Sequence, residues 1–158
     1  MQPRIVHGKK RKGIGKSLSM SLSNNRTSEL WSAFVPRIRE IQDRVGVNFI
    51  SLQVYPANYF TAFRPALAFQ KWALVEVSDY DTCPKGMKKF TLNAGLFAVF
   101  DYKGLSADPS IFQYIYTQWL PTSGYELDDR PHFEVLGTSY KNNDADSEEE
   151  LWIPIKKP

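Results

Sequence analysis

Two periodicities divide this chain. Ile14, Lys16, Leu18, Met20 and Leu22 alternate along an extended segment over 4–22, the period of a strand, and Gly13 and Gly15 are expected to bend or bulge it. Ser23-Asn24-Asn25 breaks the pattern. Leu30, Trp31, Phe34, Val35, Ile38 and Ile41 then recur at helical spacing. That predicts an amphipathic helix over 27–44, capped by Thr27, kinked at Pro36 and stopped at Gly46. Strands are predicted at 49–55, 69–78, 88–92 and 95–102. Between them lie an irregular stretch at 58–66, with Tyr59, Phe60 and Phe63, and a loop at 79–86. Asp108 and Pro109 open a second helix, whose faces are made by Ile111, Phe112, Ile115, Tyr116 and Trp119 and which ends before Pro121. Strands at 131–136 and 151–155 close the chain.

The order strand, helix, strand, strand occurs twice. It predicts an α+β fold built from duplicated β-α-β-β units, with halves at about 1–80 and 87–158 related by a pseudo-twofold. An antiparallel sheet, two main helices and a central cleft follow, and such a cleft is a natural ligand site. A chain of 158 residues fits one domain.

Composition narrows the function classes. The 42% hydrophobic and 23% charged fractions are those of a globular domain. A single cysteine, Cys83, excludes an intrachain disulfide and a zinc-finger pattern, and its loop position suggests an inert thiol. No apolar run has the length of a membrane span and no signal peptide is recognisable, so a cytoplasmic protein without membrane contact is expected. The net charge of +3 owes much to Lys9, Lys10, Arg11, Lys12 and Lys16, read as a solvated strand end rather than a nucleic-acid surface. Gly13-Ile14-Gly15-Lys16 lacks the spacing of a phosphate loop. His7 and His132 are too scattered for a metal site or a triad, and no cofactor is expected.

The candidate chemistry lies in acids set among aromatics, which make up 14% of the chain. Glu134 sits between Phe133 and Val135, and Glu150 precedes Leu-Trp-Ile-Pro-Ile. Burying an unpaired charge is costly, so acids in an aromatic-rich sheet point to a pocket for lipophilic, often cationic, molecules. Alternation puts Glu148, Glu150 and Trp152 on one face and Leu151, Ile153 and Ile155 on the other, which reads as core. For 148–150 the alternative is a solvated strand start; for Glu134 it is a cross-strand ion pair. Glu76, on the face of Trp72, is a third candidate, with an exposed strand face as its alternative. Trp72, Phe97, Tyr116, Trp119, Tyr59, Phe63 and Trp152 are candidate walls. Tyr102 joins them, its phenol a possible donor. Trp31 reads as helix-to-sheet packing, and Asp128-Asp129-Arg130 as a loop held by local ion pairs.

Five stretches, taken in order, resemble a known family: LWSAFVPRIREI at 30–41, FQKWALVEV at 69–77, AGLFAVFDYKG at 94–104, IYTQWLPTSGYELDDRPHFEVL at 115–136 and EELWIPIKK at 149–157. The chain resembles the GyrI-like small-molecule-binding domain, the effector-binding domain of AraC-type and multidrug-responsive regulators. The resemblance implies a duplicated β-α-β-β fold whose aromatic cleft takes bulky hydrophobic or cationic compounds with the help of a glutamate. Glu134 and Glu150 fall where the family carries acids in its last two strands. It also implies two alternatives. One is a hydrolase opening cyclopropanoid genotoxins, with Glu150 or Glu134 activating water and Tyr102 stabilising an oxyanion. The other is a protein-binding module acting on DNA gyrase. Residues before Thr27 read as strand rather than helix-turn-helix. A standalone member is therefore expected, with no direct DNA contact and any DNA-binding regulator a separate partner.

Overall fold

The N-terminal extended segment is two strands, β1 (Arg4–Gly8) and β2 (Arg11–Met20), split at Lys9-Lys10. The computed structural model describes residues 1–79 and 81–158. Tyr80, in the expected loop at 79–86 and at the boundary drawn for the first half, lies outside the described residues. After β2 come α1 (Thr27–Phe34), β3 (Phe49–Val54), β4 (Phe69–Val77), β5 (Lys88–Leu92), β6 (Gly95–Lys103), α2 (Ser110–Tyr114), β7 (Glu126–Leu127), β8 (His132–Leu136) and β9 (Glu148–Lys156).

The strands pair in the order β1-β6-β9-β8-β3-β4-β2-β5, with β7 on the tail of β9. Every ladder is antiparallel. The order is symmetric about the central β3–β8 pair: β6-β9-β8 on one side answers β2-β4-β3 on the other. The lead strands are exchanged, since β1 extends the second half and β5 the first. Only Lys9-Lys10 joins β1 to β2, and only Asn93-Ala94 joins β5 to β6. An extended chain covers roughly 3.3–3.6 Å per residue, so strands at opposite ends of the pairing order lie close in space. The sheet therefore rolls into a half-barrel, helped by its right-handed twist.

Registers fix two faces. Lys16, Ala73, Ser51, Glu134, Leu151 and Phe100 form one row across six strands. Their parity defines the face that carries the helices. Trp72, Leu52, Phe133, Trp152 and Val99 form the adjacent row of opposite parity, which faces the inside of the roll. There Ile50, Leu52, Leu74, Leu92, Phe97, Val99, Phe133 and Trp152 make a core of strand side chains alone. Phe133 stacks on Trp152 (5.0 Å between centroids), and the Arg11 guanidinium lies 4.9 Å from the Trp152 ring. Such contacts add about 0.5–1.5 kcal/mol each beyond simple burial. The expected bulge in β2 does not form: its register with β4 is unbroken from Lys12 to Met20. Gly15 is required instead for close approach, because a Cβ there would meet the Ala73 carbonyl oxygen.

The helices are shorter and less regular than their periodicity predicts. α1 turns into a 3-10 segment, Val35–Glu40, and stops there rather than at Arg44. Pro36 sits at the start of that segment; its missing N–H and fixed φ favour the tighter turn. Asn25 rather than Thr27 engages the helix start, its Oδ1 accepting from the Thr27 N–H (2.9 Å). α2 continues as a π-helical stretch, Ile115–Trp119, and a last turn, Leu120–Thr122. The chain thus stays helical through Pro121, and the π stretch just before it absorbs the hydrogen bond that proline cannot donate. Asp108 Oδ1 accepts from the Ser110 N–H (2.9 Å), which holds its carboxyl below the usual range. Asp108→Ala, which removes this bond, is expected to lower Tm by no more than about 2–4 °C by calorimetry.

Candidate functional site

The two helices cover different parts of the outer face. Leu30 and Phe34 of α1 pack on Ile14, Ala73, Val75 and Val77 of β2 and β4. Ile111, Ile115 and Trp119 pack on Ala98, Phe100, Leu151, Ile153 and Ile155 of β6 and β9. Between these cores lies the central pair, β3 and β8, which presents Ser51, Gln53, His132 and Glu134 on the same face. Along this seam Lys71, Glu134, Leu136 and Glu149 are half-buried, while Ser51, Gln53 and His132 are buried. The seam is a polar strip between the two helix-covered cores.

One end of the strip is aromatic. Tyr55 packs on Tyr59, Phe60, Phe69 and His132, with ring centroids 4.4–5.2 Å apart. Phe60 stacks on His132 (5.2 Å) and leans on Tyr116 (5.0 Å). Tyr116 Oη and His132 Nδ1 share a 3.1 Å hydrogen bond. Burial, reinforced by Arg130, depresses the His132 pKa to about 3, so the ring is neutral. Burial raises the Tyr55 and Tyr116 phenols, and the nearby Glu134 charge raises them further.

The strip holds two carboxylates and one ammonium. Burial pushes the Glu134 carboxyl up, opposed by Lys71 and by a hydrogen bond from Gln53. In the orientation that satisfies both ends of the Gln53 amide, Nε2 donates to Glu134 Oε2 (3.0 Å) and to the His132 carbonyl (3.3 Å), while Oε1 accepts from Lys71 Nζ (3.1 Å). Glu134 pairs with Leu151, so Glu149 is its diagonal neighbour on the same face, about 7–8 Å away by backbone geometry. Burial, then the Glu134 charge, raise Glu149 to about 7, again against Lys71. An open groove of about 480 Å³ lies at the strand ends beyond Glu149, lined by Asn48, Asp101, Tyr102, Lys103, Glu148, Glu149, Glu150 and the loop after β8.

The sequence-derived candidates separate by face. Glu134, Tyr116 and Tyr59 converge on the seam. Phe63 packs on Tyr59 (5.6 Å) but is 49% exposed, at the outer margin. Tyr102 flanks the strand-end groove, its hydroxyl donating to the Leu105 carbonyl (2.7 Å). Trp119 is buried edge-on against Phe100 under the second helix. Glu150 has the opposite parity: it pairs with Arg4 (3.0 Å), which also binds Asp101, and it accepts a hydrogen bond from Trp152 Nε1 (3.0 Å). Trp152 and Phe97 are buried inside the roll, and Trp72 packs there on Phe90. Glu76 shares that parity, half-buried beside Gly13. Asp128 does pair with Arg130 (2.6 Å). The residues that sequence reasoning passed over are Gln53, Tyr55, Phe60, Lys71, His132 and Glu149. Among the described residues no group of three His, Cys, Asp or Glu is placed to hold a metal ion, and no helix is long and apolar enough to cross a membrane.

A seam of this kind, with aromatics beside an acid and flanked by two helices on a rolled sheet, defines a small-molecule-binding domain. The chain belongs to the GyrI-like small molecule binding domain family, which it matches over residues 1–156. It is 30% identical, over 98% of its length, to the transcriptional regulator BrlR of Pseudomonas aeruginosa, and it spans 56% of that protein. Among solved structures it is similar to the C-terminal domain of EcmrR (TM-score 0.72, 14% identity, 99% of this chain and 98% of that one). It is also similar to SAV2435 bound to tetraphenylphosphonium (TM-score 0.67, 15% identity, 99% of this chain and 94% of that one).

Proposed function

We propose that this chain binds bulky lipophilic cations in the seam between its helices, with Glu134 as counter-charge and Tyr55, Tyr59, Phe60 and Tyr116 as the desolvating wall. The observation that carries this reading is a half-buried carboxylate on the central strand pair whose charge reaches the Tyr55 and Tyr116 phenols of the aromatic cluster and which takes a hydrogen bond from an amide rather than a direct ion pair. Such a carboxylate has spare acceptor capacity. A cation entering the ring-walled end gains cation–π contact of roughly 0.5–2 kcal/mol per ring. The bound cation also relieves the penalty that burial places on the acid. The relatives support the same reading: one is a transcriptional regulator, and a fold neighbour was solved with a lipophilic phosphonium. Coupling to transcription would then lie in how ligand occupancy is read by other protein elements.

Titration with tetraphenylphosphonium is the direct test. Micromolar binding by calorimetry is expected, with at least tenfold weaker binding of a neutral tetraaryl compound of the same size. Equal affinity for the neutral compound would remove the carboxylate from this account, and no binding of either would remove the site.

A further inference from the structure

We propose that Lys71 sets the charge of the ligand: it is the resident counter-cation of a two-carboxylate groove and leaves room there for one positive charge, so the site selects monocations over dications. This rests on reading the seam as the site of a lipophilic cation, and it adds which cations are taken.

The inference follows from the charges that face the seam. β8 supplies Glu134, β9 supplies Glu149 and β4 supplies Lys71, all three on the helix-bearing face. Lys71, Gln53 and His132 are successive cross-strand partners, so the ammonium stands two strands from β8 and reaches Glu134 through the Gln53 amide. Its field acts on both acids. His132 is neutral. The helical stretch from Ser110 to Thr122 contains no charged residue. On the other wall, Arg26 is paired with Glu29 and Arg37 with Glu40, and the field of Lys16 acts on Glu40 at the end of that segment. Asp101, Lys103, Glu148 and Glu150 line the strand-end groove with Glu149 but have the opposite parity to it, and one guanidinium, Arg4, bridges Asp101 and Glu150. Two ionised acids and one ammonium leave one negative charge. A monocation closes that balance. A dication leaves one positive charge beside Lys71 in a partly desolvated groove, where like charges repel strongly. The link through Gln53 matters as well. An ammonium held by an amide oxygen, rather than clamped on a carboxylate, leaves the Glu134 oxygens open to a ligand.

The test compares tetraphenylphosphonium with a bis(triphenylphosphonium) joined by a four-carbon chain, at pH 8, above the Glu149 value of about 7. Calorimetry is run on wild type, Lys71→Met and Lys71→Arg. Wild type should prefer the monocation. Lys71→Met should tighten binding by about tenfold per ligand charge, so the bis-cation gains about tenfold on the monocation. Lys71→Arg keeps the charge and should keep the wild-type preference. A merely structural lysine would move both ligands together. The inference is overturned if the bis-cation gains nothing in Lys71→Met, or if Lys71→Arg behaves like Lys71→Met. With tetraphenylphosphonium still bound and weakened by Glu134→Gln, the proposed function survives that outcome. If wild type binds neither cation, both fall.

Discussion

Glu134→Gln should weaken tetraphenylphosphonium binding by about 30- to 150-fold while changing the stability of the empty protein by less than about 1 kcal/mol. The two effects separate because of how Glu134 is held. In the empty protein its carboxylate carries a burial penalty, offset through Gln53 and Lys71. Glutamine keeps the volume and an acceptor for Gln53 Nε2, and it removes the penalty together with the charge, so little net stability is lost. In the complex the same charge faces a cation inside an aromatic wall. Losing one member of such a pair costs about 2–3 kcal/mol at the lower end of measured cases, which sets the expected factor. Calorimetric titration and a thermal melt on the same sample check both halves. A variant that binds as tightly as wild type would show that rings alone hold the ligand.

Glu149 should make stability fall as pH rises from 5 to 8, by about 2 kcal/mol. Its proton is held to about pH 7 in the folded protein, against an ordinary value of 4.5. Between those limits the native state binds more protons than the unfolded chain. Its contribution is therefore present below about pH 4.5 and lost as pH passes through 7. The full shift would be worth about 3 kcal/mol, and screening at a half-buried site reduces it. The carboxyls depressed by hydrogen bonds, Glu29, Glu40 and Asp108, are ionised in both states across this window and do not contribute. Of the groups acting on Glu149, Glu134 and Lys71, only the acid adds to its proton affinity. His132, at about 3, does not titrate there. Urea melts at pH 5 and pH 8 should show the decline in wild type and a smaller one in Glu149→Gln, the remainder belonging to Glu134, whose carboxyl burial also raises. Cation binding should run the opposite way, tightening about tenfold from pH 6 to pH 8 as the second carboxylate ionises. A pH-independent affinity would place Glu149 outside the ligand's field.

The fold was readable because its elements are strongly periodic, and the duplicated order survives in the symmetric strand arrangement. What the pattern could not carry was which strands lie at the centre. FQKWALVEV shows the parity of Trp72 and Glu76 correctly, yet nothing local says that the helices cover the opposite parity, where Lys71 sits. The same ambiguity affects Glu148-Glu149-Glu150. Alternation groups Glu150 with Trp152, as observed, but a rolled sheet buries both of its faces, so a buried neighbour does not reveal which face holds the groove. Glu134 stood out because it is an acid enclosed by Phe133 and Val135. Gln53 and Tyr55 carried no such contrast at the end of a strand where polar and apolar residues alternate. The 3-10 and π segments arise from Pro36 and Pro121, whose presence was plain and whose accommodation depended on neighbouring turns.

The swap of lead strands constrains how a guest can get in. Each half is clasped by a ribbon borrowed from its twin, and both ribbons are tethered by spans too short to stretch. The two lobes therefore cannot swing apart like the covers of a book. Any opening of the seam falls to its margins, the helices and the aromatic stretch over 58–66, rather than to a parting of the sheet.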